Sequence, residues 1–269
     1  MRARLKQDNT GDGLAPSPVF LALLAAWTVS GWLAWNAAEY TGFGDVPERD
    51  KYAVFAFAFI GWIVSLCLHE FGHARTAYWG GDKSVLARGY LTLNPLKYIQ
   101  PGLSLLLPLV FLLMGGIGLP GAAVYVQPAA IRTKWQRSLM SAAGPLTNIA
   151  IGVMGGLVFT IAPGLIDSHT TFAAGLAFFV RLQFIAAILN LVPLPGLDGF
   201  GIIEPHLSPS LLAKIEPYRG YTFILLFVLV SQSQVASDLI FGNASKITEA
   251  FGAPEGLIGL GRGLFQFWR

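Results

Sequence analysis

The sequence His69-Glu70-Phe71-Gly72-His73 lies inside an apolar stretch of membrane-spanning length. Residues four positions apart lie on one face of an α-helix, so His69 and His73 can bind one metal ion through two imidazole nitrogens. This spacing is typical of a zinc site in which Glu70 stands beside the ion as a general base. The alternative is two histidines that pair with polar groups in the core. We favour the metal site, because ionisable residues are costly within a membrane and usually serve a function there.

The composition indicates a membrane protein. Of the 269 residues, 54% are hydrophobic and 12% are charged, whereas a soluble domain carries about 25% charged residues. The net charge of +3 is small and lies in loops and termini, which is typical of membrane topology rather than of a nucleic-acid-binding surface. Cys67 is the only cysteine, so no intrachain disulfide can form. We expect Cys67 to pack in the core rather than to bind the metal.

The hydropathy pattern predicts an all-α polytopic membrane protein with about five transmembrane helices in a single domain, 1–269. The predicted spans are 19–38, 52–78, 138–162, 171–192 and 220–235. A cleaved signal peptide is the alternative for the first span, but that span exceeds the roughly 7–15 apolar residues of a signal sequence. The predicted catalytic core is about 52–205, after an N-terminal tail at 1–17. The C-terminal tail at about 238–269 is predicted to lie on the membrane surface, because Arg262 interrupts its apolar pattern.

Two shorter segments differ from the spans. Residues 84–93 resemble a strand, because they contain Val, Tyr and Thr and precede the turn sequence Asn94-Pro95. We expect a small membrane-associated β element there, whose edge could pair with an extended peptide. Residues 101–118 are apolar but interrupted by proline and glycine and shorter than a full span, which predicts a re-entrant segment. Basic residues near the N-terminus place it in the cytoplasm, so His69 is expected near the cytoplasmic face.

A catalytic zinc site needs a third protein ligand, which must come from another helix. Asp198 is the strongest candidate, because Pro193, Pro195 and Gly196 would unwind the helix before it and let a short side chain reach the ion. The alternative is a turn aspartate at the membrane surface, since Leu-Asp-Gly is ordinary turn chemistry. The buried histidine pair favours the ligand. The weaker candidates are Asp167, Glu204, Asp238, His169 and His206.

Two asparagines lie on predicted apolar helices, Asn148 and Asn190. One interpretation is a hydrogen bond between helices, which is common in membrane bundles. The other is a donor near the zinc that stabilises the oxyanion of a tetrahedral intermediate. Both remain open, and Asn190 is the better candidate for the second role because it leads directly into the segment of Asp198.

Together these motifs resemble those of the site-2 protease family of intramembrane zinc metalloproteases. The His-Glu-x-x-His sequence at 69–73 is followed by Gly-Pro-x-x-Asn at 144–148 and by the Asn, Pro and Leu-Asp-Gly positions of 190–199. The run at 89–96 is similar to a segment of the small prokaryotic members that lack PDZ and CBS domains. The resemblance covers roughly 55–205. Three motifs in the right order are far more specific than the first alone.

The resemblance implies that His69, His73 and Asp198 bind Zn²⁺ and that Glu70 activates water. It also implies a single-span membrane substrate, such as an anti-sigma factor or a similar regulator, cut in or near its transmembrane segment. The expected location is the cell membrane, with several passes and an active site within the bilayer near the cytoplasmic face. One departure is Tyr-Ile-Gln-Pro at 98–101, where many small members have His-x-Asp-Pro.

Two other functions could use the same site: a membrane adaptor or chaperone without proteolytic activity, and a metal transporter. All four residues of the hydrolytic set are present, which disfavours an inactive adaptor. Inverted repeats typical of transporters are not visible in the sequence.

Overall fold

The structure is a computed structural model that describes residues 14–38, 46–97 and 125–268. Within these ranges the chain forms helices and no strand. The first six helices are α1 (Pro18–Trp35), α2 (Glu48–Gly80), α3 (Ser84–Ala87), α4 (Lys134–Ile161), α5 (Leu165–Ser168) and α6 (Thr170–Leu191). The others are α7 (Asp198–Ile203), α8 (Pro209–Ile215), α9 (Thr222–Gln232), α10 (Gln234–Ser237), α11 (Asn243–Ala250) and α12 (Glu255–Phe265).

Four of these helices, α1, α2, α4 and α6, are long and apolar enough to cross a membrane. A fifth span is possible if Ile224–Gln232 and Gln234–Ala250, which meet at an angle of 106°, count as one broken segment. The prediction of an all-α membrane protein with about five spans is therefore confirmed. The division into one domain with two tails stays a prediction.

The spanning helices differ in how much protein surrounds them. Inside the protein, 78% of the apolar window of α6 is buried, but only 17% of that of α1. Helix α2 packs against α1, α4 and α6, and α4 also packs along α6. The side chains of Val29 and Trp32 on α1 are more than half exposed, which suits a helix that faces lipid. The fold therefore encloses α6 and much of α2, the helix that carries His69 and His73.

Small residues allow the central helices to approach closely. A Cβ atom added to Gly152 would lie 3.0 Å from the ring of Phe184, and one added to Gly155 would lie 2.7 Å from a methyl of Val180. Such contacts are typical of membrane helices, which associate by packing and hydrogen bonding because lipid removes the hydrophobic driving force. The pairing of α4 with α6 fixes the relative heights of the polar residues that the two helices carry.

The C-terminal helix α12 packs on the bundle. Its buried residues are Leu257, Ile258, Gly261, Leu264 and Phe265. A Cβ atom on Gly261 would lie 2.0 Å from the carbonyl oxygen of Ala174 on α6, so the backbones of the two helices touch. The membrane-surface placement of 238–269 stays a prediction, but this part of the tail is held against α6 and α2.

The strand expected at 84–93 is wrong. Residues Ser84–Ala87 form helix α3 and Tyr90–Thr92 form a 3-10 turn. Gly89 has φ +73° and Leu93 has φ +58°, and left-handed residues at these two positions interrupt an extended run. The apolar side chains of this segment pack against α2 instead of alternating between two faces. The edge for pairing with a peptide is therefore lost as well.

Two expectations fall largely or wholly outside the described residues. The re-entrant segment at 101–118 lies wholly outside them, and so does most of the N-terminal tail at 1–17. Both stay predictions. Cys67 is buried in a cluster with Phe20 and Val64, as expected for a core residue.

Candidate metal centre

Helix α2 carries the first motif in its second half. His69 and His73 are buried, with 6% and 7% of their surfaces exposed. Their Nε2 atoms are 3.1 Å apart, because a spacing of four residues places both rings on one face of the helix. The two nitrogens therefore point to one place inside the bundle.

Asp198 reaches the same place from the break after α6. Helix α6 ends at Leu191, the chain continues through Gly196 with φ +96°, and α7 begins at Asp198 itself. One carboxylate oxygen, Oδ2, is 3.3 Å from His69 Nε2, and the other, Oδ1, is 3.3 Å from His73 Nε2. The unwound segment thus performs the role expected from its prolines and glycine.

Gly199 allows α7 to lie against the end of α6. A Cβ atom at this position would be 2.2 Å from the carbonyl oxygen of Leu191 and 2.7 Å from that of Val192. Both contacts are with backbone, which cannot move aside as a side chain can. A glycine directly after Asp198 is therefore required for the carboxylate to reach the histidines.

The three side chains fit a zinc ion. They are the one group of three or more potential ligands found among the described residues, and their ligand atoms all lie within 4.8 Å of one another. Tetrahedral bonds of about 2.0–2.1 Å place neighbouring ligand atoms roughly 3.3–3.4 Å apart, and the observed separations are 3.1–3.3 Å. Asp198 Oδ2 is buried and has no hydrogen-bond partner in the part of the chain that the structure describes. Two imidazoles, a carboxylate and one remaining position form the donor set of a catalytic zinc.

The other nitrogen of each ring is also bound. His73 Nδ1 lies 2.7 Å from the backbone carbonyl oxygen of Met140, and His69 Nδ1 lies 2.5 Å from Oδ1 of Asn148. A carbonyl oxygen only accepts, so each Nδ1 donates its proton and each Nε2 keeps a lone pair for the ion.

Gly144 brings the backbone of α4 against the two rings. A Cβ atom at this position would lie 2.3 Å from His73 Nε2 and 2.5 Å from His69 Nε2. At Gly144 the backbone of α4 therefore forms a wall of the site. The sequence motif of this helix includes Gly144. The structure shows that the absence of a side chain there lets the helix backbone approach the two histidine rings.

Glu70 is buried beside the histidines, with 3% of its surface exposed. Glu70 follows His69 directly in α2. Its role as the general base stays a prediction.

The two asparagines occupy different settings. Asn148 on α4 holds His69 and donates through Nδ2 to Oε1 of Gln183 at 2.9 Å. Asn190 is buried in the last turn of α6, eight residues before Asp198. Its role at an oxyanion stays a prediction, as does that of Asn148. Gln183 was missed from the sequence, although an amide within an apolar span is itself a signal.

The weaker candidates lie outside the cluster of possible ligands. Glu204 binds Arg219, and His169 packs on the ring of Trp35 at 3.7 Å. His206 Nε2 lies 3.1 Å from Oγ of Ser138. These contacts explain Glu204, His169 and His206 without a metal.

Comparison with known proteins identifies full-length relatives. Rip2 of Mycobacterium tuberculosis strain H37Rv, whose name assigns it to the zinc metalloproteases, is 42% identical over 266 residues, which are 98% of each chain. Rip2 of Mycolicibacterium smegmatis is 40% identical over 254 residues, 94% of each chain. The chain belongs to the site-2 protease family. YwhC of Bacillus subtilis, also named as a zinc metalloprotease, is 31% identical over 206 residues, 71% of this chain and 89% of its own.

Membership of the site-2 protease family confirms the resemblance drawn from the motifs. It supports proteolysis with Zn²⁺ as the cofactor, and the His69, His73 and Asp198 triad supplies a site for that ion. No family model and no solved structure matches the chain.

Proposed function

We propose that this zinc metalloprotease cuts a single-span membrane protein in or near its transmembrane segment. The observation that carries the proposal is the position of the triad, with two buried histidines and a partly buried aspartate, among helices that are long and apolar enough to cross a membrane. His69 and His73 belong to such a helix, α2, and Asp198 follows another, α6. A hydrolytic centre built there is positioned for peptide bonds that a soluble protease does not reach.

The depth of the centre within the membrane can be estimated from its distance to the end of α2. His73 lies seven residues before Gly80, which is about 10 Å along the helix axis. Arg75 and Trp79 beyond it are exposed, and such residues are enriched where a helix leaves the bilayer. The centre therefore lies inside the membrane near one face. Basic residues close to the N-terminus make that face the cytoplasmic one, in a chain with several passes through the cell membrane.

The chemistry uses four side chains. Bound zinc supplies Lewis acidity and an activated water at neutral pH. His69, His73 and Asp198 hold the ion, and Glu70 takes the proton of the attacking water and passes it to the leaving amine. A helical substrate has its carbonyl oxygens in internal hydrogen bonds, so the segment around the cut bond must unwind before attack.

The substrate class that suits this arrangement is a membrane-anchored regulator, such as an anti-sigma factor, whose cytoplasmic part is released by the cut. Cleavage near the cytoplasmic face frees a soluble fragment on that side. The same location excludes substrates that have no segment within the membrane.

The test is cleavage of a tagged single-span protein by the purified enzyme in lipid vesicles. Wild type is expected to release a cytoplasmic fragment, and Glu70→Gln is expected to release none while it keeps one zinc per chain. The matched control is Glu48→Gln, which makes the same change at the exposed start of α2 and should cleave normally. If neither wild type nor Glu48→Gln releases a fragment while both hold zinc, the proposal fails and an adaptor or transporter becomes the better interpretation.

A further inference from the structure

A chain of four buried polar side chains runs from the metal centre across three helices. It begins at His69 on α2, passes through Asn148 on α4 and Gln183 on α6, and returns to α2 at Ser65. Gln183 is fully buried, and Ser65 has 2% of its surface exposed. We propose that Gln183 is a positioning residue for the zinc site: it holds Asn148 in the orientation that gives His69 its metal-binding tautomer.

The donor and acceptor roles along this row of hydrogen bonds are determined at Ser65. Ser65 Oγ donates to the backbone carbonyl oxygen of Trp62 at 2.8 Å. A carbonyl oxygen has no proton to give, so the hydroxyl proton of Ser65 is used there. The oxygen of Ser65 is left as an acceptor, and Nε2 of Gln183 donates to it at 3.2 Å.

Each later link follows from that one. With its NH₂ group on Ser65, Gln183 turns Oε1 to Asn148, whose Nδ2 donates to it at 2.9 Å. Asn148 in turn presents Oδ1 to Nδ1 of His69 at 2.5 Å. His69 therefore carries its proton on Nδ1, and the lone pair of Nε2 faces Asp198 at 3.3 Å.

The opposite direction would disable the ligand. If Gln183 turned its NH₂ group to Asn148, Asn148 would offer its own NH₂ to His69, and the neutral ring would carry its proton on Nε2. A protonated Nε2 cannot bind zinc. His73 does not need such a chain, because the backbone carbonyl of Met140 fixes its tautomer directly.

Asn148 hydrogen-bonds His69 directly, and Gln183 stands one hydrogen bond further from the metal site. Partners that orient a metal-bound histidine change metal affinity by about 10–100-fold when they are removed. Among the described residues, the hydrogen bonds of Gln183 go to Asn148 and Ser65, so we expect its effect on zinc binding to pass through Asn148. A loss of zinc affinity that depends on Asn148 distinguishes a positioning role of Gln183 from a contribution to packing alone.

The test measures zinc affinity of the full chain in detergent by competition with a chelator. Gln183→Met keeps the size of the side chain and removes its hydrogen bonds, and it should weaken zinc binding about tenfold or more. Gln183→Glu, as the neutral acid, can donate to Ser65 and accept from Asn148, and it should stay close to wild type. Leu182→Met is the packing control at the neighbouring buried position and should bind zinc normally.

A double-mutant cycle decides the route of the effect. In an Asn148→Ala background, Gln183→Met should cause no further loss of zinc affinity. An equal loss in both backgrounds would overturn the proposal, and so would wild-type affinity of Gln183→Met. If Gln183→Met does not fold, Ser65→Ala takes its place in the same cycle and should weaken zinc binding only when Asn148 is present.

This inference rests on the proposed zinc hydrolase function of the centre, but its test reads metal affinity and not cleavage. If the double-mutant cycle gives the expected zinc affinities but the protein cleaves no membrane substrate, the proposed function alone is refuted. A chain that cleaves normally with Gln183→Met and holds zinc with unchanged affinity would refute the positioning role alone.

Discussion

Gly144→Ala adds one methyl group where helix α4 lies against both histidine rings of the centre. The new carbon would lie 2.3 Å from Nε2 of His73 and 2.5 Å from Nε2 of His69. Normal contact between such atoms needs about 3.5 Å, so the two nitrogens must retreat by roughly 1 Å. Metal–ligand distances in real sites lie within about 0.2 Å of their ideal values. A displacement five times larger than that tolerance should remove both histidines as ligands together.

We therefore expect Gly144→Ala to lower the affinity for zinc at least about 100-fold. Residues that only orient a ligand change this affinity by about 10–100-fold. The helix itself should not suffer, because alanine is better than glycine inside a helix by about 0.5–1 kcal/mol. Without metal the rings can turn away from the methyl group. Thermal unfolding of the metal-free protein should consequently occur at or above the wild-type temperature.

The assay combines zinc content, chelator competition and thermal unfolding of the metal-free chain. Gly152→Ala on the same helix is the control, because the three atoms nearest to its new carbon belong to the ring of Phe184, at 3.0–3.3 Å; it should keep its zinc. If Gly144→Ala binds one zinc with wild-type affinity, the close approach of α4 to the histidines is refuted.

Three further outcomes are expected. Asp198→Ala should lose zinc and cleavage, and full retention of both would remove it from the ligand set. Gly199→Ala should also lower zinc content, since its Cβ would lie 2.2 Å from a backbone oxygen and push α7 away; normal content would contradict that. In a Cys67→Ser background, single cysteines at Ser84 and Gly118 should both react with a membrane-impermeant reagent only from the cytoplasmic side. Reaction of the second from outside alone would mean that the apolar segment before it crosses the membrane.

The sequence was sufficient to select the three side chains that the structure brings together as possible ligands. Helical spacing determines that His69 and His73 share a face, and this follows from local geometry alone. Asp198 could be found because proline and glycine break an apolar helix just before it. In both cases the signal lies within a few residues of the site.

The supporting residues could not be found in this way. The role of Gly144 depends on which helix lies against its missing side chain, and that is a matter of packing between residues far apart in the chain. Gln183 has partners on α2 and α4, so its polarity in an apolar span signals a function but not which one.

At 84–93 the local sequence pattern led to a wrong prediction. Its Val, Tyr and Thr residues favour a strand, yet left-handed conformations at Gly89 and Leu93 and burial against α2 produce helical turns. Tertiary packing overrode a local preference that was weak in so short a run.

The first and last of the three proposed ligands, His69 and Asp198, are 129 positions apart in the chain. A ribosome that adds about 5–20 residues per second makes the two histidines roughly 6–26 s before the aspartate. During that interval the growing chain has only two of the three groups that hold the ion. The break after α6 therefore also sets the order of biogenesis: hydrolytic competence can arise only after α2, α4 and α6 have been made and the chain has reached Asp198.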